Sequence, residues 1–262
     1  MDPAYANIVL TYEGAVARLT LARPEKLNPL DWGTVKELRA AIAEIDARRE
    51  VSFVVVTGQG RSFSAGGDLE GYLRLYAHPD EFAAFLDDFW KMLNAIEASP
   101  KIYIAAVNGH CVAGGLELLL ACDLSVAAQS AKIGDGHLNF GQLPGAGGSQ
   151  RLPRAVGLLR AKQLMLTGAL LTAREAERIG LVGAVADSDL DAAAAGLIAA
   201  MSEKSRVGLR GAKHLANLTL SLDLEAGLQA EIAYVHAYAT TEHDATEGLL
   251  AFKEKRRPAF EE

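Results

Sequence analysis

Apolar residues fall into short β-type runs and longer helical stripes that take turns along the chain. In IVLTYEGAVARLTLAR two alternating runs are divided by Glu13-Gly14, which predicts a hairpin. Over NPLDWGTVKELRAAIAEIDARR the positions Val35, Leu38, Ile42 and Ile45 recur at helical spacing and predict an amphipathic helix. VSFVVVTGQG is continuously apolar, rich in β-branched residues and ended by glycine, as in a strand buried on both faces. A helix is expected from about Asp80 to Ala98, stopped near Pro100. KIYIAAVNG reads as a second buried strand, GGLELLLACD as a short helix and LSVAAQSAKIG as further strand. Strands alternating with helices require crossover connections and α/β layering.

The pattern changes after Arg154. LLRAKQLMLTG and TAREAERIGLV predict two short helices, the second opened by a Thr172-x-x-Glu175 capping box and closed by Gly180. VGAVAD is a short β-type run, and from Leu190 onward the chain is Ala-rich and helical without a convincing strand. The expected organisation is an α/β core over residues 1–200 and a helical C-terminal region over 201–262, packed closely because no low-complexity linker divides them. No internal repeat is visible in the sequence.

Length and composition narrow the classes. The 262 residues, 50% hydrophobic and 23% charged, supply a globular core. A formal net charge of −7 argues against nucleic-acid binding, which needs a basic face, but leaves room for an anionic small ligand held by local lysines. No apolar run reaches the ~18–20 residues of a membrane span. The stretch MDPAYANIVLTYEG lacks the basic segment and small-residue cleavage site of a signal peptide. Cys111 and Cys122 lie in apolar surroundings and are expected as buried free thiols, which points to the cytoplasm. The six histidines and two cysteines form no ligand-spaced cluster, so no metal is implied.

Two glycine-rich junctions carry the candidate chemistry: GRSFSAGGDLEGY after one buried strand, and VNGHCVAGGLELLLACD after the next. Neither is a nucleotide fingerprint, a P-loop or a G-x-S-x-G elbow. Glycine exposes backbone N–H without a Cβ in the way, and an N–H at a helix N-terminus carries the positive end of the dipole. Two such groups converging on one oxygen would stabilise an enolate or tetrahedral oxyanion. Tight strand-to-helix turns would account for the glycines alone. Glu117 adds something more, because a carboxylate inside LELLLA is costly to bury without a partner, and desolvation raises its pKa toward the range useful for acid–base work. His110 and Cys111 are expected to pack.

FSAGGDL, NGHCVAGGLELLLACD and LPGAGGSQRLPR resemble the enoyl-CoA hydratase/isomerase, or crotonase, superfamily. The resemblance runs from ARPEKLNPL through LTAREAERIGLV to EGLLAFKEKRRPAF, nearly the whole chain. It implies a spiral core of ββα units, a C-terminal helical trimerisation region, a homotrimer or dimer of trimers, and an acyl-CoA substrate with no separate cofactor. It places the oxyanion-hole N–H groups on Gly67 and Gly114, and the first catalytic glutamate on Glu117. Asp68 takes a structural role on the CoA side. Lys26, Leu27, Ala65, Leu69, Glu70 and Tyr72 fall in segments that line the substrate site. Phe252 and Lys255, in the basic C-terminal segment, are candidates for holding CoA phosphates and adenine, sometimes across a subunit interface.

The second glutamate of the family's hydratases stands seven residues before the proline of PGAGG. That position here is His137, a departure from the pattern. An imidazole moves protons near neutral pH, so water addition remains chemically open. Asp135 would orient or charge it if the segment is extended. The expected activity is an enoyl-CoA hydratase-type lyase. The alternatives are a C–C bond hydrolase or isomerase acting on a CoA ester, or an acyl-CoA binder whose catalysis has decayed.

Overall fold

The computed structural model describes residues 5–261; residues 1–4, the start of the stretch weighed above as a signal peptide, lie outside them. β1 (Ile8–Glu13) and β2 (Val16–Leu21) form the expected hairpin, with Glu13 opposite Val16 and Gly14 at φ 54° in the turn. Then follow α1 (Trp32–Ala47), β3 (Phe53–Gly58), β4 (Ser62–Ser64), α2 (Leu69–Tyr76) and α3 (Pro79–Ala98). β5 (Ile102–Val107), β6 (His110–Val112), α4 (Gly114–Ala121), β7 (Leu124–Ala128) and β8 (Lys132–Gly134) come next. After a 3-10 turn at His137–Phe140 come α5 (Gly148–Val156), α6 (Leu158–Thr167), β9 (Leu171–Thr172), α7 (Ala173–Arg178) and β10 (Ala184–Ala186). Four helices complete the chain: α8 (Leu190–Ser202), α9 (Arg206–Leu218), α10 (Leu224–Thr241) and α11 (His243–Glu254).

Asp31 caps α1 by accepting from the Thr34 N–H, and all four apolar positions read from the sequence are buried. β3 and β5 are buried on both faces, because they are interior strands of a six-stranded sheet ordered β1-β2-β3-β5-β7-β10. Apart from the hairpin this sheet is parallel. A second sheet, β4-β6-β8-β9, is parallel through β8, with β9 antiparallel at its end. After β3, β5 and β7 the chain adds one strand to the second sheet before the next helix, as in β3-β4-α2 and β5-β6-α4. This is the ββα spiral.

Four features differ from the sequence reading. LSVAAQSAKIG is two strands, in different sheets, turned at 129–131. α2 follows the first glycine-rich junction, where the sequence reading assigned no helix, and α5 forms despite Pro153 inside it. His110 is exposed rather than packed, on a three-residue strand whose burial alternates. Cys111 is buried but Cys122 only half-buried; both are free.

The main core fills the space between the two sheets and α1, α3 and α4, and a smaller cluster of Val55, Ala106, Val126 and Ala186 is covered by Ala194 of α8. Among the described residues no helix is long and apolar enough to cross a membrane. α9 is pinned to the core chiefly by a buried lysine, with Asn217 Nδ2 donating to the Glu97 carbonyl beside it. The Lys213 Nζ donates to the Ile96 and Lys101 carbonyls at 2.9 and 2.8 Å and to Asp123 Oδ2 at 2.9 Å. The same Asp123 oxygen accepts from the Tyr103 N–H at 2.7 Å. α10, by contrast, has no buried residue, and Leu224, Leu228, Ile232 and Val235 form an exposed stripe along it.

Breaking a buried ion pair by removing one partner typically costs ~3–5 kcal/mol, whereas replacing both is close to neutral. Lys213→Ala is therefore expected to lower the urea unfolding free energy by that amount, and Lys213→Met with Asp123→Asn to recover most of it. A single variant within about 1 kcal/mol of the parent would show that this ion pair does not hold α9.

Candidate active site

β5 runs through Asn108-Gly109 into β6, and β6 turns into α4 at Ala113. Ala113 sits at φ 52°, ψ −118°, a conformation that L residues rarely adopt. The turn is fastened by its N–H, which donates to the Asp135 carbonyl at 2.8 Å. Its effect is to end a strand and begin a helix within one residue, so that the Gly114 N–H opens α4 and Glu117 projects one turn later. The neighbouring junction follows β4. Gly66, at φ 100°, comes so near Ala113 that an added Cβ would stand 2.8 Å from the alanine Cβ and 3.3 Å from the Gly114 nitrogen. The two glycine junctions thus converge, and neither the Gly67 nor the Gly114 N–H donates to an acceptor among the described residues.

Glu117 is 2% exposed. Its Oε1 accepts from the Ala146 and Gly148 N–H groups, each at 2.8 Å, so half of the carboxylate is committed to the loop that opens α5. The other oxygen, Oε2, faces His137 Nε2 at 3.9 Å. Burial pushes the Glu117 carboxyl above its ordinary value; the Gly148 N–H, His137 and the Ala146 N–H draw it partly back, and Asp135 adds to the rise.

His137 Nδ1 lies 3.1 Å from Asp135 Oδ2, and the His137 N–H donates to Asp135 Oδ1 at 3.3 Å. With Nδ1 as the donor to an Asp135 carboxylate oxygen, the tautomer this contact suits, Nε2 is the acceptor that faces Glu117. The segment is not extended as expected. Gly136 at φ 63° folds it into the 3-10 turn, and that fold brings the ring back over Asp135, which is 1% exposed.

Two cavities meet here. One, of ≈ 470 Å³, is lined by Lys26, Leu27, Ala65, Gly67, Asp68, Leu69, Glu70 and Tyr72, all residues expected from the sequence, and reaches His137. The other, of ≈ 400 Å³, is apolar and holds both Glu117 and His137 in its wall. Tyr72, His137 and Gln142 belong to both. Burial, then the Glu117 charge, holds the Tyr72 phenol well above its ordinary value, so it stays protonated. Leu27 and Asn28 take φ 62° and 56°, held by buried Asn28, whose amide donates to the Gln59 and Ser62 carbonyls.

The family model described as Enoyl-CoA hydratase/isomerase matches residues 11–262. This chain belongs to that family. Among its relatives, "Probable enoyl-CoA hydratase echA8" of Mycobacterium bovis is 37% identical over 257 residues, covering 98% of each chain. The "Crotonyl-CoA hydratase" of Syntrophomonas wolfei is 37% identical over 261 residues, again with 98% of each covered. The crystal structure of an enoyl-CoA hydratase from Bacillus anthracis superposes with a TM-score of 0.90 at 34% identity, covering 97% of this chain and 99% of that one.

Within this enoyl-CoA hydratase/isomerase site, Phe252 and Lys255 are not brought to either cavity of their own chain. Phe252 stands 86% exposed on α11, and Lys255 ends that helix at φ 54°. The sequence reading missed Tyr76, Phe82, Phe85, Phe89 and Gln142, which line the apolar cavity. Phe82, Phe85 and Phe89 carry a helical spacing that reads equally as core, and the first two helical turns after Asp68 were not read as a helix at all.

A carboxyl whose folded pKa is raised costs stability once it ionises. The cost is absent below the ordinary glutamate pKa and grows as pH rises from there through the folded value. Glu117→Gln keeps an acceptor for both N–H groups and removes that charge. It is expected to melt higher than the parent at neutral pH, with the gain shrinking as pH falls through the folded value and gone below about 4.5, read by calorimetry across pH.

Proposed function

We propose that the protein adds water to an α,β-unsaturated acyl-CoA, and removes it in reverse, with Glu117 and His137 as the acid–base pair and the Gly67 and Gly114 N–H groups as the oxyanion hole. The observation that carries this reading is the 3.9 Å gap between Glu117 Oε2 and His137 Nε2 at the junction of the two cavities. One water oxygen can stand within hydrogen-bond reach of both atoms. The thioester lies with its oxygen toward the two glycine N–H groups, its acyl end in the apolar cavity and its CoA portion along Lys26, Leu69 and Glu70.

The chemistry then balances. Nε2 accepts a proton from water as the hydroxyl oxygen bonds to Cβ; the π electrons move to an enolate held by the N–H pair; protonated Glu117 delivers its proton to Cα. Imidazolium and carboxylate remain, facing each other, and a proton passed from Nε2 to Oε2 restores the starting state. Asp135 stabilises the imidazolium as it forms.

The assay is loss of the conjugated thioester absorbance on hydration. His137→Ala is expected to lower turnover by ~100-fold or more with little change in CoA-ester affinity, and His137→Glu to retain water addition. Asp135→Asn, which can present a donor to Nδ1 and so reverse the tautomer, is expected to lower turnover with KM unchanged. Wild-type turnover in His137→Ala would end the role given to this histidine. Cleavage of a β-keto or cyclic CoA ester without water addition would instead favour the C–C hydrolase reading.

The same proposal extends to assembly. The apolar stripe on α10, and the position of Phe252 and Lys255 away from their own cavities, suit a trimer in which the C-terminal segment serves a neighbouring site. Light scattering is expected to give a mass that is a multiple of three chains. A monomer at every concentration would refute it. Two free cysteines suit a cytoplasmic enzyme.

A further inference from the structure

One wall of the apolar cavity is built of rings. Tyr72 and Tyr76 are stacked, with planes 4° apart and centroids at 6.0 Å. Tyr76 meets Phe82 edge-on at 4.9 Å, Phe82 lies near-parallel to Phe85 at 6.4 Å, and Phe85 leads to Phe89 at 5.8 Å. The facing wall is the 141–146 segment, which presents Gly141, Pro144, Gly145 and Ala146. At Gly145 this segment approaches α3 so closely that an added Cβ would stand 2.8 Å from Leu86 Cδ2. The rings of α3 and the 141–146 segment come together there, and the slot they bound has Glu117 and His137 in its lining.

A cavity of ≈ 400 Å³ falls among those that hold drug-sized ligands (roughly 300–1,000 Å³) and is oversized for a four-carbon acyl group. Rings lining a slot reward a planar ring through offset-stacked and edge-to-face contacts beyond simple burial. A long alkyl chain gains burial too, but loses rotamer freedom at each bond when confined. An aryl group conjugated with the enoyl double bond has no such freedom to lose, and the conjugated bond would place its Cβ beside the acid–base pair.

Resting on the hydratase reading above, we infer that the acyl group of the substrate is an arylpropenoyl: a planar aromatic ring conjugated with the enoyl thioester, held between the ring wall and the 141–146 segment. The Tyr76 hydroxyl, which donates to the Gln142 amide oxygen, fixes the ring wall to that segment.

The test compares kcat/KM for cinnamoyl-CoA, crotonyl-CoA and decenoyl-CoA with the full-length protein. Cinnamoyl-CoA is expected to exceed each of the others by ~10-fold or more, the scale of one or two ring–ring contacts. Phe82→Ala and Tyr76→Ala are each expected to lower the ratio of the cinnamoyl to the crotonyl value by ~10-fold, whatever they do to the two values together. Equal or better use of decenoyl-CoA, or parallel loss of the cinnamoyl and crotonyl activities, overturns the inference. Calorimetric binding of the saturated thioesters, dihydrocinnamoyl-CoA against decanoyl-CoA, reads the slot without turnover. Preferred binding of the aryl thioester with no hydration of any enoyl-CoA would sink the hydratase reading and keep the slot; hydration with no aryl preference in either measurement would do the reverse.

Discussion

A carboxylate buried among leucines must have its oxygens bonded, and much of the site follows from how Glu117 meets that requirement. Its Oε1 takes two backbone N–H groups from the 144–148 segment, which ties α4 to the start of α5. That tie sets the wall of the apolar cavity opposite α2 and α3. It also explains why Gly148 carries no side chain: an added Cβ would stand 3.1 Å from both Glu117 Oε1 and Pro144 Cβ. With one oxygen committed, the other is left to face His137, so the geometry of the proposed acid–base pair is a consequence of the structural bond.

The spiral supplies the second condition. Parallel strands end together, so the turns after β4 and β6 lie side by side, and β8 delivers Asp135 and His137 next to them. Close packing of these turns demands unusual backbone. Gly66 supplies it without cost to a side chain, whereas Ala113 holds it as a strained alanine. The strain is held in place by the Ala113 hydrogen bond to Asp135 and by the helix that begins one residue later. Asp135, which meets the imidazole, is therefore also bonded, through its backbone, to the turn that opens α4 and the proposed oxyanion hole.

Legibility in the sequence tracked how local the signal was. The stripe of α1, the doubly buried β3 and β5, the hairpin at Gly14 and the Thr172–Glu175 capping box were all readable, because each rests on neighbours within a few residues. β9 and the partition of β7 from β8 were not, since strands of two to five residues take their identity from the sheet they join. α2 and α5 were obscured by glycine and proline that tertiary contacts override. Glu117 and the glycine pair were legible as chemistry because a lone carboxylate in LELLLA and paired glycines are both costly without a purpose. The position of His137 came from motif spacing.

By itself, then, the sequence determined the α/β class, the family, the apolar helix that buries Glu117, and the histidine standing where a second glutamate is usual. Only the tertiary structure decided where that histidine stands and what it touches. Its contact with Asp135 depends on the left-handed Gly136, its distance from Glu117 depends on two N–H groups about thirty residues downstream in the chain, and the ring wall joins residues from two helices. Periodicity and spacing report which residues share an element. Distances between side chains on different elements arise from packing, and the proposed acid–base pair and acyl wall rest on those distances.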